Sequence, residues 1–193
     1  MIVEILYIFL LSYLSGSIPF GLVFTKIFLN KDIRKIGSKN IGATNVFRTG
    51  NKVIAVLTLL LDIFKGVVPI IITSYYFQNL IYLSGLMAFL GHIFPVWLKF
   101  KGGKGIATYL GILFVMSFKL GLIFCLTWII VVLITKYSSL SSIVSALVIF
   151  LISVYQNNLE LNFFLFIVFV IILYTHRQNI VRLKNKKEDK IKL

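Results

Sequence analysis

Residues 100–108 read Phe-Lys-Gly-Gly-Lys-Gly-Ile-Ala-Thr, a basic glycine loop that lies between two apolar runs. Glycine lets a backbone turn tightly and lets an anion approach the main-chain N–H groups. The apolar run from Ile106 predicts a helix, and the unpaired N–H groups at a helix N-terminus favour phosphate. The loop is not a Walker P-loop, because Gly105 follows Lys104 where that motif has Ser or Thr. Taken alone, it is compatible with a phosphate site or with a basic loop at a membrane edge.

The composition around this loop indicates a membrane protein. Of the 193 residues, 59% are hydrophobic and 13% are charged, and the mean hydropathy is +0.98. At about 20 residues per spanning helix, the chain has room for at most seven or eight helices. We therefore predict one integral-membrane domain over residues 1–193, with a charged tail at about 184–193. Cys125 is the only cysteine, which excludes a disulfide within the chain.

Apolar runs predict an all-α, polytopic fold of about seven transmembrane helices. The first two runs are long enough to span a bilayer, whereas several later ones are short and predict helices that are tilted, incomplete or set in a locally thinned bilayer. Glu4 and the lack of a basic N-terminal segment favour a first spanning helix over a cleaved signal. The runs lie at 2–24, 53–76, 79–98, 106–118, 120–135, 141–156 and 160–175.

The basic residues predict the orientation. Of the 20 Lys and Arg residues, only Lys119 falls on the predicted outer side and only Lys65 falls inside a span. The positive-inside rule then puts the N-terminus outside and the C-terminus in the cytoplasm. Topology and anionic substrates explain the net charge of +14 better than a nucleic-acid partner does. The tail at 184–192 is predicted to be a solvated anchor near anionic headgroups.

Polar islands occupy loops on the predicted cytoplasmic side. Their glycines, hydroxyls, amides and arginines can turn several donors towards an oxyanion, although polar connecting loops have a similar composition. No metal-ligand cluster or activated nucleophile is evident, so we predict neither a metal nor a cofactor. The islands are residues 37–48, residues 91–95 leading into the 100–105 loop, residues 175–183, and a weaker one at 137–139.

Two polar features lie inside apolar runs. Asp62 and Lys65 are three residues apart, and an unpaired charge at mid-bilayer costs about 2.5–3.5 kcal/mol on insertion scales. We expect them to pair with each other or to line a polar cavity. His92 is more often a hydrogen-bonded helix residue than a catalyst, and Pro95 is expected to end or kink the third span.

These motifs resemble the bacterial membrane acyl-phosphate:glycerol-3-phosphate acyltransferases over nearly the whole chain. The resemblance rests on Ser17-Ile18-Pro19, on residues 37–48, on 91–95 with 100–105, and on 176–183. It implies seven spans, an external N-terminus and an active site facing the cytoplasm, in the bacterial inner membrane. It also implies transfer of a fatty acyl group from acyl phosphate to the 1-hydroxyl of sn-glycerol 3-phosphate. The products are lysophosphatidate and inorganic phosphate, in the first acylation step of phospholipid synthesis.

The resemblance also implies site residues. Acyl phosphate is already activated, so the chemistry needs alignment of two anions and charge stabilisation rather than an enzyme nucleophile. The acyl-phosphate head would be held by Ser38, Asn40, Thr44 and Asn45 with nearby glycine N–H groups. Glycerol phosphate would be bound by Arg48, Lys104, His176 and Asn179, helped by Ser139. A substrate phosphate would take the hydroxyl proton, with His176 as the alternative base. The catalytic set is Ser38, Arg48, Lys104, His176 and Asn179, and the substrate-binding set is Asn40, Gly42, Thr44, Asn45, Lys101, Gly102, Gly103 and Ser139.

The chain departs from the family pattern at three positions. Lys39 and Ile41 stand where the first motif has glycine and proline, and Lys186 stands where glycine is common ahead of Glu188. These changes affect the backbone of two loops. The expected partners are acyl phosphate, glycerol 3-phosphate and the lipid bilayer, with no nucleic acid and with the chain as a monomer.

Two other functions are compatible with parts of the sequence. Short spans and the Asp62–Lys65 pair would suit a transporter for an organic anion, but no inverted repeat is visible and the islands cluster at one face. A non-catalytic membrane subunit would not need three donor-rich loops on one side.

Overall fold

The computed structural model describes residues 2–191, and every regular element among them is helical, which confirms the all-α prediction. Single turns of 3-10 helix connect some of the α-helices, at Ile33–Lys35, Gln78–Leu80 and Val96–Leu98. The α-helices of this described part are α1 (Ile2–Ser17), α2 (Phe20–Leu29), α3 (Ala43–Phe47), α4 (Lys52–Tyr76), α5 (Ile81–Ile93), α6 (Ile106–Met116), α7 (Phe118–Thr135), α8 (Ser138–Val154), α9 (Leu159–Thr175) and α10 (Arg177–Lys184).

The described residues contain four segments long and apolar enough to cross a membrane, and α9 with α10 makes a fifth if this pair, bent by 59°, is one span. Helix α6 has 11 residues and covers roughly 17 Å, against a hydrocarbon core of about 30 Å. Helix α8, with 17 residues, is also short. The seven-span count and the orientation therefore stay predictions. The four segments are Ile2–Leu29, Lys52–Tyr76, Gln78–Leu98 and Phe118–Thr135.

The first span is broken, which the uninterrupted apolar run 2–24 does not predict. Helix α1 ends at Ser17 and α2 starts at Phe20, because Pro19 has no N–H group to continue the helical hydrogen bonds. A backbone group freed inside a membrane needs another partner. Lys65 supplies one, since its Nζ donates to the Ile18 carbonyl at 2.7 Å.

Lys65 also pairs with Asp62. Its Nζ lies 2.8 Å from Asp62 Oδ1, and both side chains are buried. The expected pairing of these two residues is confirmed. A buried pair of this kind avoids the cost of a lone charge in the apolar segment.

Contacts divide the chain into two compact units, one up to Met116 and one from Ser117. In the first unit, α1 packs against α4 and α5, and α4 packs against α6. The α4–α6 crossing depends on glycine: a Cβ on Gly66 would meet the Thr108 carbonyl, and one on Gly111 would meet that of Ile63. Small residues that let helix backbones approach are typical of membrane proteins. In the second unit, α8 packs against α7 and α9.

A small apolar core anchors the first polar island in the first unit. It joins residues from α2, the following loop, α3 and α4. Ile41, which stands where the family pattern has proline, is 3% exposed and packs in this core. The core consists of Leu22, Ile33, Ile41, Val46, Ile54 and Ala55.

Candidate active site

Asn45 organises the first island. This side chain is buried, and its Nδ2 donates to the carbonyls of Ile36 at 2.9 Å and Asn40 at 2.8 Å, with Ile33 slightly farther at 3.2 Å. Its Oδ1 accepts the Ser38 N–H at 2.9 Å. The Asn45 amide therefore shapes the loop from within, and a supporting role fits its geometry better than direct contact with substrate.

The donors that reach the surface of this loop are different residues. Ser38 and Thr44 are exposed, and Arg48 is half-buried. The Arg48 side chain passes over Gly37, because a Cβ at that glycine would lie 3.1 Å from Arg48 Cδ. The loop thus holds a hydroxyl and a guanidinium near one backbone turn, an arrangement suited to an oxyanion.

Both lysines that replace a family glycine adopt left-handed backbone. Lys39 has φ 60° and Lys186 has φ 55°. Glycine adopts this conformation without steric cost, whereas a residue with a Cβ pays roughly 1–2 kcal/mol. The backbone shape of the two loops is therefore one that glycine favours, and the substitutions keep it at the cost of local strain.

The second island is fixed beneath the end of α5. The N–H of Gly102 donates to the Ile93 carbonyl at 2.9 Å, and that of Gly103 donates to the His92 carbonyl at 3.0 Å. These two N–H groups are thus already bonded inside the protein, so they position the loop rather than face a ligand. Gly105 has φ +84° and lies against Phe89, where a Cβ would overlap the ring.

The predicted boundaries around this loop are confirmed. Helix α5 ends at Ile93, two residues before Pro95, and α6 begins at Ile106 directly after Gly105. Lys104 is half-buried and lies two residues before the first residue of α6. A cation close to a helix N-terminus can act on the same phosphate as the terminal N–H groups.

His176 lies at the bend between α9 and α10, and it is 2% exposed. Its Nδ1 is 2.9 Å from the Ile172 carbonyl oxygen and 3.3 Å from Thr175 Oγ1. Because a carbonyl only accepts, this contact assigns the ring proton to Nδ1. Nε2 is then the ring nitrogen that can accept a hydrogen bond, and a substrate hydroxyl can donate one to it.

Glu188 binds three side chains of the second unit. Ser139 Oγ and Asn179 Nδ2 both donate to Glu188 Oε1, at 2.7 Å and 2.6 Å. Arg182 Nε donates to Oε2 at 2.7 Å. Burial opposes ionisation of this carboxyl, but the hydrogen bonds from Ser139, Arg182 and Asn179 outweigh it and hold the pKa of Glu188 below its ordinary value. Glu188 therefore joins two predicted site residues that are 40 positions apart.

The prediction of a solvated tail is wrong for Glu188, whose side chain is 7% exposed. The tail folds back along the start of α8: the Ile191 N–H donates to the Lys136 carbonyl at 2.9 Å, and Lys190 Nζ lies 5.7 Å from the centre of the Tyr137 ring. Lys192 and Leu193, which belong to the predicted tail, lie outside the described residues. The sequence offered one signal for a specific role of Glu188, because acidic residues are scarce and only six occur in the chain.

Within each unit, some of the predicted site residues share a loop or meet at a common hydrogen-bond partner. In the first unit, Ser38, Arg48 and Asn45 share the 37–48 loop, and Lys101, Gly102, Gly103 and Lys104 share the loop before α6. In the second unit, Ser139 and Asn179 meet at Glu188. These features define a helical membrane protein with donor-rich polar loops.

Comparison with known proteins places the chain in a family. The family model described as Glycerol-3-phosphate acyltransferase matches residues 6–186. A glycerol-3-phosphate acyltransferase of Pelagibacter ubique is 55% identical over 190 residues, 98% of this chain and 99% of its own length. One from Brucella ovis is 48% identical over 180 residues, 93% of this chain and 90% of its own length.

Solved structures agree with the sequence relatives. The glycerol 3-phosphate form of PlsY (YgiH), an integral membrane glycerol 3-phosphate acyltransferase, matches with a TM-score of 0.93 and 37% identity, covering 98% of this chain and 96% of that one. Its lysophosphatidic acid form matches with a TM-score of 0.90 and 36% identity over the same shares. This protein is an integral membrane acyltransferase. The chain belongs to the glycerol-3-phosphate acyltransferase family.

Proposed function

We propose that this enzyme transfers a fatty acyl group from acyl phosphate to the 1-hydroxyl of sn-glycerol 3-phosphate. The identity of the acyl acceptor is supported by one observation. Over 98% of its length, this chain is similar to a protein solved in glycerol 3-phosphate and lysophosphatidic acid forms. The acyl-phosphate donor is supported by the resemblance of the polar motifs. The composition of the site also supports it, because an activated mixed anhydride needs donors and alignment rather than a nucleophilic side chain.

The proposed reaction has one transfer step. The 1-hydroxyl oxygen attacks the acyl carbon, a new ester C–O bond forms, and the bond from the acyl carbon to the phosphate oxygen breaks. Inorganic phosphate leaves with the electron pair of that bond. The hydroxyl proton passes to a substrate phosphate, so the products are lysophosphatidate and phosphate. His176 Nε2 is the alternative proton acceptor, since Nδ1 is engaged with the Ile172 carbonyl.

Roles in the first unit follow from its two loops. We propose that Ser38, Asn40 and Thr44, with Gly42 at the start of α3, hold the acyl-phosphate head, and that Asn45 fixes the loop for them. Arg48 and Lys104 bind glycerol phosphate by charge-assisted hydrogen bonds. Lys101 adds positive charge, while Gly102 and Gly103 set the loop's position through their bonds to α5.

Roles in the second unit centre on Glu188. His176 and Asn179 bind the glycerol phosphate, helped by Ser139. The carboxylate of Glu188 holds Ser139 and Asn179 in place, because both donate to the same oxygen.

Assay of the purified protein with acyl phosphate and glycerol 3-phosphate tests this proposal. We expect lysophosphatidate to form, and its formation to depend on both substrates. A non-catalytic subunit would form none, and a transporter of organic anions would instead move glycerol 3-phosphate into sealed vesicles without acyl donor. Either result would overturn the proposed function.

We propose further that the enzyme acts as a monomer in the bacterial inner membrane, with its N-terminus outside and its polar loops in the cytoplasm. Lys187→Cys, in a Cys125→Ser background, is then expected to be protected from an impermeant thiol reagent in intact cells. Asn79→Cys is expected to react under the same conditions, and both positions are exposed in the structure. Labelling at position 187 before permeabilisation would contradict this orientation.

A further inference from the structure

Asp62, Lys65 and His92 form a buried cluster that the proposed reaction does not use. They are respectively 2%, 4% and 3% exposed. Lys65 Nζ lies 2.8 Å from Asp62 Oδ1, and the same carboxylate oxygen lies 3.8 Å from His92 Nδ1. The cluster therefore connects α4 with the end of α5, and through Ile18 with the break between α1 and α2.

Stability alone is a weak reason for such a cluster. Removing charges from water costs several kcal/mol for each ion, and apolar residues of similar volume are often as stabilising. In some proteins, buried polar groups fix one arrangement out of several, as a coiled-coil asparagine fixes register.

The His92 ring lies directly against the glycine loop. A Cβ on Gly103 would overlap Nε2 of His92, and the Gly103 N–H donates to the His92 carbonyl at 3.0 Å. The opposite edge of the ring faces Asp62 through Nδ1, which is buried and makes no hydrogen bond in the described part of the chain. The imidazole thus fills the space between the carboxylate and the backbone that carries Lys104.

We propose that Asp62 and His92 are positioning residues for Lys104, and that Lys65 neutralises Asp62 so that the carboxylate can remain buried. The Asp62 charge favours the ring orientation in which Nδ1–H points towards it. In this orientation the ring packs against Gly103 and so fixes the backbone there. Lys104 is the next residue, so its position is fixed as well. The link to catalysis rests on the proposed role of Lys104 in binding glycerol phosphate.

Two variants break the Asp62–His92 contact from opposite sides. Asp62→Asn with Lys65→Gln removes both charges together, so that no lone charge is left buried. His92→Phe keeps an aromatic ring of similar width beside Gly103 but lacks the nitrogen that faces Asp62. Each is expected to raise the KM for glycerol 3-phosphate about five- to tenfold, with kcat within threefold and the KM for acyl phosphate unchanged. This split is expected because binding of the remote phosphate is uniform between ground and transition states.

The amide hydrogen exchange of residues 99–105 reports on the loop without any assay of activity. Each variant is expected to speed exchange at Gly102 and Gly103 at least fivefold, while exchange in α1 and α4 stays within twofold. The matched control is Ser12→Ala with Ser84→Ala, which removes another buried polar contact, of 3.0 Å, between α1 and α5. We expect this control to leave the loop's exchange unchanged.

The effects of the two variants are not expected to add when combined, because both remove the same contact. Unchanged loop exchange in either variant, equal acceleration across the whole unit, or additive effects in the combined protein would each overturn the proposal. If the wild-type protein made no lysophosphatidate, the proposed function would fail, while the exchange result would still decide whether this cluster positions the loop.

Discussion

Lys104→Ala is expected to lower kcat/KM for glycerol 3-phosphate by roughly 10- to 100-fold or more. A charge-assisted hydrogen bond contributes about 1.5–3 kcal/mol, and each 1.36 kcal/mol is a factor of ten in rate. Lys104 is half-buried in the loop before α6, where its charge is screened less than at an exposed position. Steady-state kinetics of the purified variant, with normal accumulation in the membrane, would measure the effect.

Lys39→Gly is the matched control, because Lys39 also lies in a glycine-containing polar loop. Its side chain is exposed and its φ is 60°. Glycine relieves the left-handed strain, and an exposed charge is worth only about 0–1 kcal/mol. We therefore expect kcat/KM to stay within about threefold. If Lys39→Gly were as damaging as Lys104→Ala, assignment of the phosphate site by motif would be wrong.

Glu188→Gln is expected to lower kcat/KM by roughly 10- to 100-fold and to reduce the melting temperature of the protein at neutral pH. The amide keeps the size of the side chain but replaces the charged carboxylate, whose oxygens accept hydrogen bonds from Ser139, Asn179 and Arg182. Hydrogen bonds to a charged group contribute about 1.5–3 kcal/mol, and here two of the three donors are proposed substrate ligands. Kinetics and thermal unfolding in detergent would measure the two effects.

The stabilisation by Glu188 is expected to decrease in acid. The pKa of Glu188 is lower in the folded protein, so its stabilisation is complete above the ordinary glutamate value of about 4.3. It is lost as the pH falls through the folded value. The difference in melting temperature between wild type and Glu188→Gln should therefore shrink in acid. Glu160 is an exposed acid at the start of α9, and Glu160→Gln should leave both activity and the pH dependence of the melting temperature unchanged. If the difference between wild type and Glu188→Gln stayed constant down to pH 3, the role of Glu188 would be contradicted.

Local signals in the sequence predict much of the fold. Gly105 followed by an apolar run predicts the start of α6, and Pro95 predicts the end of α5. Asp62 and Lys65 lie three residues apart in one apolar run, which predicts that they pair or line a polar cavity, and the structure shows the pair. These features depend on neighbouring residues, so composition and spacing are sufficient to find them.

The features that sequence does not predict depend on distant contacts. Glu188 reaches Ser139 only because the tail folds back across 49 positions of the chain. The His92 ring supports Gly103 only because the loop returns to the end of α5. Asn45 has the residue type of a ligand donor, but its amide points into the loop. Residue type gives the chemistry that a side chain can perform, whereas the tertiary contact decides which partner it has.

A comparison of acyl donors distinguishes acyl transfer from acyl phosphate from transfer by other routes. Purified protein would be incubated with glycerol 3-phosphate and either acyl phosphate or acyl-CoA of the same chain length. Lysophosphatidate and inorganic phosphate would both be measured. We expect equimolar lysophosphatidate and phosphate from acyl phosphate, and no product from acyl-CoA. Equal rates with the two donors, or lysophosphatidate formed without release of phosphate, would contradict it.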